Sequence, residues 1–272
     1  MADIKQAVIL AGGEGIRLRP LTYEVPKPMV PVNNRPFLEY LIEMLKANGI
    51  SEVVLLLGYL PEKVTQHFGD GSSLGVNIKY SIGKVSDKTG TRIRNAGNLL
   101  DDLFLLMYGD NYWPLNLERL SRFYARQKTL ASTTVYANKD GLGEYGLENN
   151  IYVDKEGYVV KYDKLRKDKD LNGVDIGFFV VNRQVLELMP KSDFSFEEEI
   201  LPILVKKRQL SGYLTEHRYH YITSPQSLEA AGKYLQPKKI VLLDRDGVNN
   251  RKAAEHDYIK SWSEYEFLPG AV

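Results

Sequence analysis

Three stretches of this chain are apolar almost without interruption: QAVILA at 6–11, EVVLLLGY at 52–59 and DLFLLMYGD at 102–110. A strand with one face in water alternates apolar and polar residues, so strands that do not alternate need cover on both faces. Helical patterns lie between them. FLEYLIEMLKANGI (37–50) spaces its apolar residues for one helix face and stops at Asn48-Gly49, a C-terminal cap signal. PEKVTQHFG (61–69) opens with a proline in its first turn, VNIKYSI (76–82) reads as a strand and RNAGNLL (94–100) as a helix. This alternation predicts an α/β fold with a mainly parallel sheet between two helical layers.

Beyond residue 130 the texture changes. STTVYAN (132–138), NNIYVD (149–154), YVVKYDK (158–164) and VDIGFFVVN (174–182) are strand-like and separated by turns, which predicts a more antiparallel second half. SFEEEILPILVKKRQ (195–209) predicts a helix capped by Ser195, with Glu198 in the capping-box position, and SLEAAGKYL (227–235) a further helix. One mixed α/β domain is expected over 1–235. QPKK (236–239) then breaks the pattern, and IVLLDRDGV (240–248) begins a new strand, so 236–272 reads as a linker plus the start of something else.

Bulk properties exclude several classes. Thirty-six Lys+Arg against 35 Asp+Glu give a net charge of +1, so no nucleic-acid partner is expected. The absence of cysteine rules out disulfides and thiolate metal sites. No apolar run approaches the roughly 20 residues of a membrane span, and MADIKQAVILAGG reads as a strand rather than a signal peptide. The expectation is a cytoplasmic protein without a membrane partner; assembly as a homo-oligomer is left open.

The first strand runs into Gly12-Gly13-Glu14-Gly15, with Arg17 close behind and Lys27 set between Pro26 and Pro28. Ligands of open parallel sheets sit at the carboxyl ends of the strands. A backbone free of side chains there lets its N–H groups approach an anion. A planar guanidinium and a stiffly held ammonium suit phosphate oxygens. A glycine turn with solvated arginines is the competing reading of these residues alone. The spacing matches neither the Walker A loop nor the dinucleotide fingerprint.

The longer stretch VILAGGEGIRLRPLTYEVPKPMVP (8–31) resembles the signature of the sugar-1-phosphate nucleotidyltransferases, the nucleoside-diphosphate-sugar pyrophosphorylases. RPFLEYLIEMLKANGISEVVLLLGY, YGD and FSFEEEILP extend the resemblance over about 235 residues, toward the heptose-1-phosphate and mannose-1-phosphate guanylyltransferases. It implies a Rossmann-like, mainly parallel sheet of the GT-A-like type. It also implies a reaction in which a sugar 1-phosphate oxygen attacks the α-phosphorus of an NTP and displaces pyrophosphate. By resemblance the nucleotide is held by Leu10, Ala11, Gly12, Gly13, Gly15, Thr89, Gly90 and Gly109. Arg17 would bind the leaving phosphates, Lys27 would neutralise the α-phosphate, and Asp110 would ligate Mg²⁺. Asp110 alone also reads as a helix N-cap. Gly146, Asp163, Lys164 and Asp175 stand at the sugar-phosphate positions, with a polar surface strand as the competing reading.

Two departures stand out. The family's glycine-rich PLGTGGA loop is SDKTGTR (86–92) here, with Lys88 and Arg92 where small residues are usual. The second metal aspartate of WxDIGTP is replaced by Tyr221 in YHYITSP, and a phenol is a poor Mg²⁺ ligand at neutral pH. Either Asp110 holds the ion with phosphates and water, or Asp175 or another acid substitutes, or catalysis is weak. A catalytically reduced, sugar-nucleotide-binding regulatory subunit is therefore a second expectation.

In the tail, IVLLDRDGV with YEFLPGA resembles the opening of haloacid-dehalogenase-type phosphatases of the histidinol- and heptose-bisphosphate branch. Asp244 would be the nucleophile and Asp246 the general acid/base. Only 36 residues follow Gln236, against the roughly 100–150 of such a domain. This implies a truncated phosphatase half without activity of its own, and a weak pathway link to D-glycero-D-manno-heptose 1-phosphate and GTP.

Overall fold

The computed structural model describes residues 3–237 and 266–268. The chain divides into two compact units, Met1–Leu235 and Gln236–Val272. Asp244, Asp246 and the strand expected at 240–248 lie outside the described residues.

The first unit is built on a seven-stranded sheet: β1 (Gln6–Leu10), β2 (Glu52–Leu57), β3 (Asn77–Ile82), β4 (Leu103–Tyr108), β5 (Ala131–Tyr136), β6 (Val174–Asn182) and β7 (Leu210–Thr215). Their spatial order is β7-β5-β6-β4-β1-β2-β3. β1 pairs in parallel with β2 on one side (Ala7 beside Val53) and with β4 on the other (Ala7 beside Leu105). The chain thus winds outward through β2 and β3, then returns across β1 to β4, which leaves a crevice beyond the tip of β1.

The uninterrupted apolar runs are explained by what each face meets. Ala7 and Ile9 of β1, with Leu105 and Met107 of β4, belong to one core cluster. Val8 and Leu10, with Phe104 and Leu106, belong to the other. The first layer is packed by α1 (Phe37–Ala47), which buries Phe37, Leu38, Leu41, Ile42, Met44 and Leu45, and by α2 (Pro61–Phe68). The second is packed by α3 (Thr89–Asn95), by α5 (Leu201–Lys206) and by the 151–162 hairpin.

Several elements differ from the sequence expectation. The second half is less antiparallel than its texture suggested: in the main sheet only β6 runs against its neighbours, β4 and β5, while β7 is parallel to β5. The helix expected at 94–100 begins earlier, at Thr89, and gives way to a 3₁₀ turn at Gly97–Leu99, where Gly97 and Asn98 are weak helix formers. The helix expected at 195–209 is a π turn, Phe196–Ile200, followed by α5. Pro202 has no N–H to give to the Glu198 carbonyl, so the α-helical ladder cannot run through it. Ser195 does cap this segment, its hydroxyl accepting from the Glu198 N–H at 3.3 Å. The carboxylate that returns to the Ser195 N–H is Glu199, because Glu198 is turned to Lys164. The helix α4 (Leu117–Gln127), capped by the Asn116 side chain, and the edge strand β7 have no counterpart in the sequence reading.

Candidate active site

Beyond the tip of β1, the chain folds so that two distant segments meet. Gly15 sits at φ 65°, in the left-handed region, and a Cβ there would stand 2.8 Å from the Cβ of Lys27. Glycine at 15 is what lets the 27–29 turn pack under the loop. Pro26 and Pro28 flank Lys27 in that turn. On the next strand, Gly109 donates its N–H to the Leu10 carbonyl at 2.9 Å, and a Cβ at 109 would lie 2.9 Å from that oxygen. The lack of a side chain at 109 holds the tip of β4 against β1 and sets Asp110 at the same level. Lys27 Nζ then donates to Asp110 Oδ2 at 2.5 Å, with the two side chains 13% and 30% exposed.

This pair lies in a cleft of about 540 Å³. Its walls include Leu10, Ala11, Gly12, Gly13, Gly15, Arg17, Lys27, Thr89, Asp110 and Lys164 among the sequence candidates. Gly90, Gly109, Gly146, Asp163 and Asp175 are not among its lining residues. Gly90 is buried, and a Cβ there would strike the Phe194 ring at 2.1 Å. Gly146 belongs to the 138–149 loop, its carbonyl accepting from Asn138. Asp163 gives its carboxylate to the N–H groups of Leu165, Lys167 and Asp168, which organise the loop after it. Asp175 precedes a bulge in β6 made by Gly177 (φ 76°), and its Oδ1 accepts from Thr133 Oγ1 at 2.8 Å and from the Gly177 N–H at 3.0 Å. Burial pushes the Asp175 carboxyl up to about 6, against the pull of those two donors.

Three cationic groups of the cleft, Arg17, Lys27 and Lys164, are each met by a carboxylate. Arg17 donates to Glu144 at 3.1 Å and Lys164 to Glu198 at 3.0 Å. Sequence reasoning did not single out Tyr108, Glu144 or Glu197. Glu197 lines the cleft and accepts from Thr89 Oγ1 at 2.7 Å, from Ser195 Oγ at 2.9 Å and from the Tyr108 hydroxyl. Burial holds the Tyr108 phenol well above its ordinary value, so it serves as a donor. The FSFEEEILP match was the available signal for Glu197.

Arg92, the departure from small residues noted above, is buried beneath the cleft. Its Nη1 donates to the Leu57 carbonyl at 2.8 Å. Its Nη2 donates to Lys84 at 2.8 Å, Val85 at 3.0 Å and Gly12 at 3.3 Å. Burial lowers its pKa, yet a guanidinium keeps its proton. A Cβ at Gly12 or Gly58 would come within 2.4 Å of Arg92 Nη1. The two glycines and the arginine therefore fit as one unit.

For a divalent cation the donor set is thin. Among the described residues no group of three or more His, Asp or Glu side chains converges. Tyr221 pairs with Asn111, the residue after Asp110, and the Ile222 N–H donates to the Asp110 carbonyl at 3.0 Å. The Tyr221–Ile222 backbone thus runs beside Asp110, while the phenol ring packs near Tyr219. The phenol's pKa is raised by burial and by Glu144, which keeps it neutral and unsuited to Mg²⁺. Asp175 is held by Thr133 and Gly177. Asp110 alone does not build a resident metal site.

The family model described as Nucleotidyl transferase matches residues 6–243. The chain belongs to the nucleotidyl transferase family. It is 32% identical over 224 residues to a mannose-1-phosphate guanylyltransferase of Mycobacterium tuberculosis, covering 81% of this chain and 61% of that protein. It is also 32% identical over 196 residues to the D-glycero-alpha-D-manno-heptose 1-phosphate guanylyltransferase of Campylobacter jejuni, covering 71% and 83%. The crystal structure of HddC from Yersinia pseudotuberculosis complexed with GMP-PN has the same fold, with TM-score 0.70 and 21% identity over 86% of this chain and all of that one. Among the described residues no helix is long and apolar enough to cross a membrane.

Proposed function

We propose that this nucleotidyl transferase joins a sugar 1-phosphate, D-glycero-D-manno-heptose 1-phosphate or mannose 1-phosphate, to GTP and releases pyrophosphate. The observation that carries this reading is the Lys27–Asp110 pair in one cleft with the glycine loop. The Gly12 to Gly15 backbone and Arg17 would take the triphosphate, with Arg17 exchanging Glu144 for phosphate oxygens. Lys164, released from Glu198 in the same way, would hold the sugar phosphate. A phosphate oxygen of the sugar forms the new bond to the α-phosphorus as the bond to pyrophosphate breaks. No group on the protein becomes covalently linked, so the residues act by alignment and charge stabilisation. Lys27 would meet the charge developing at the α-phosphate. Gly146, Asp163 and Asp175 are proposed as the sugar-side residues.

Magnesium would arrive as the counterion of the nucleotide, with Asp110 as its one protein ligand, and would shield phosphate charge. Pyrophosphate release across a panel of NTPs and sugar 1-phosphates tests the reading. Turnover is expected with GTP and a manno-configured sugar phosphate. Nucleotide binding without any turnover would favour the regulatory-subunit alternative, which Tyr221 and the altered 86–92 loop motivate.

A further inference from the structure

The carboxylates lining the cleft are Asp87, Asp110, Glu197 and Glu198. Asp110 and Glu198 face lysines, and Glu197 accepts from three hydroxyls. Asp87 is different. Its Oδ2 accepts from the Lys84 N–H at 2.8 Å, and among the described residues it has no cation within ion-pair distance and no donor on Oδ1. The nearest influence of a cation is the field it shares with the buried Arg92 guanidinium, which Asp87 helps to keep charged.

Asp87 is also placed by a vacancy in the sequence. Gly83 directly follows β3, and a Cβ there would lie 2.6 Å from Asp87 Oδ2. The carboxylate therefore occupies the space that a side chain at 83 would fill. The loop that carries it is fixed before any ligand enters, because buried Arg92 holds the Lys84 and Val85 carbonyls and the Gly12 carbonyl together. β3 lies two strands from β1, about 10 Å across the sheet. A carboxylate with no ion pair among the described residues repels a triphosphate, so it belongs at the end of the nucleotide away from Arg17 and Lys27. Val85, exposed in the same loop and lining the cleft, offers an apolar surface for a ring.

We infer that Asp87 is the base-selecting residue and that it selects guanine. This inference rests on the nucleotidyl transferase reading of the cleft. Guanine presents two adjacent donors, N1–H and N2–H₂, which a carboxylate accepts together, and the second lone pair of Oδ2 remains available for one of them. Adenine and cytosine set a ring acceptor beside their amino donor, and uracil flanks its single N–H with two carbonyls. Each of these turns an acceptor toward the carboxylate, which disfavours it.

Calorimetric titration of the full 272-residue chain with GTP, ITP, XTP and UTP tests this without requiring turnover. ITP lacks the 2-amino group and XTP carries a carbonyl there. The wild type is expected to bind GTP roughly ten- to a hundred-fold tighter than ITP, with XTP and UTP weaker still. Asp87→Asn keeps an acceptor for the Lys84 N–H and supplies a donor, so it should lose most of the GTP preference and gain affinity for XTP. A role in loop structure alone would not produce that gain. Equal affinity of the wild type for GTP and ITP, a wild-type preference for UTP, or unchanged GTP affinity in Asp87→Asn would each overturn the inference. The wild-type series stands even if the variant does not fold. Guanine-selective binding without pyrophosphate release would sink the transferase reading while leaving this one intact; efficient turnover of UTP would do the reverse.

Discussion

The two sides of the cleft handle charge in opposite ways. Around the glycine loop, Arg17 and Lys27 face side-chain carboxylates, Glu144 and Asp110, with Arg17 60% exposed. On the 83–92 side a single guanidinium is buried and satisfied by backbone carbonyls. A carboxylate on an adjustable side chain can be exchanged for a phosphate as a ligand enters. A carbonyl in the main chain cannot leave without moving the fold. The comparison teaches that Arg17 and Lys27 are held by partners that can move, whereas Arg92 is locked into the main chain.

That contrast can be broken most readily at Arg92. Arg92→Met keeps much of the volume but leaves the Leu57, Lys84 and Val85 carbonyls without their donor. Chemical denaturation should show a loss on the order of 3 to 5 kcal/mol, as for other buried charges removed from their partners. A loss below about 1 kcal/mol would mean the guanidinium is not what joins the two loops. Lys27→Ala should do the reverse. Pyrophosphate release should fall by about 10²–10³-fold, the range for removing one preorganised charge-stabilising group, while stability changes little because Asp110 can turn to water. A large drop in melting temperature with activity retained would erase the distinction between the two sides.

A smaller effect sharpens the picture at Asp175, where burial raises the carboxyl to about 6. The folded chain then holds this proton more tightly than the unfolded chain, whose carboxylate ionises near pH 4. Stability associated with the protonated group is full below about pH 4 and is lost as pH rises through 6. Relative to Asp175→Asn, the wild type should therefore weaken between pH 4 and 7 by on the order of 1 to 3 kcal/mol. Parallel pH–stability curves for the two proteins would contradict the raised value.

The legibility of the chain followed the same divide. Strands buried on both faces were readable because every residue of AVIL or LFLLM must be apolar when both sides are covered. β7 was not, since LSGYLT mixes polar and apolar residues, lies at the sheet edge and carries a glycine packed against Val153. α4 was missed although Leu117, Leu120 and Tyr124 fall at helical spacing, because charged residues fill half of the remaining positions. At the site, the glycine loop and Lys27 could be singled out from one contiguous stretch. Glu144 and Glu197 could not, because their partners lie 127 and 108 residues away in the chain.

By itself the sequence determined the layered sheet, the anion-ready loop at its tip and the residue types able to serve there, since periodicity and glycine placement act over a few residues. Which carboxylate meets which cation, and that Arg92 binds the loop carbonyls while Asp87 faces the cleft without an ion pair among the described residues, was decided only by tertiary packing. Charge pairing acts over a few ångströms of space, and only the fold makes residues 12, 57, 84 and 92 neighbours.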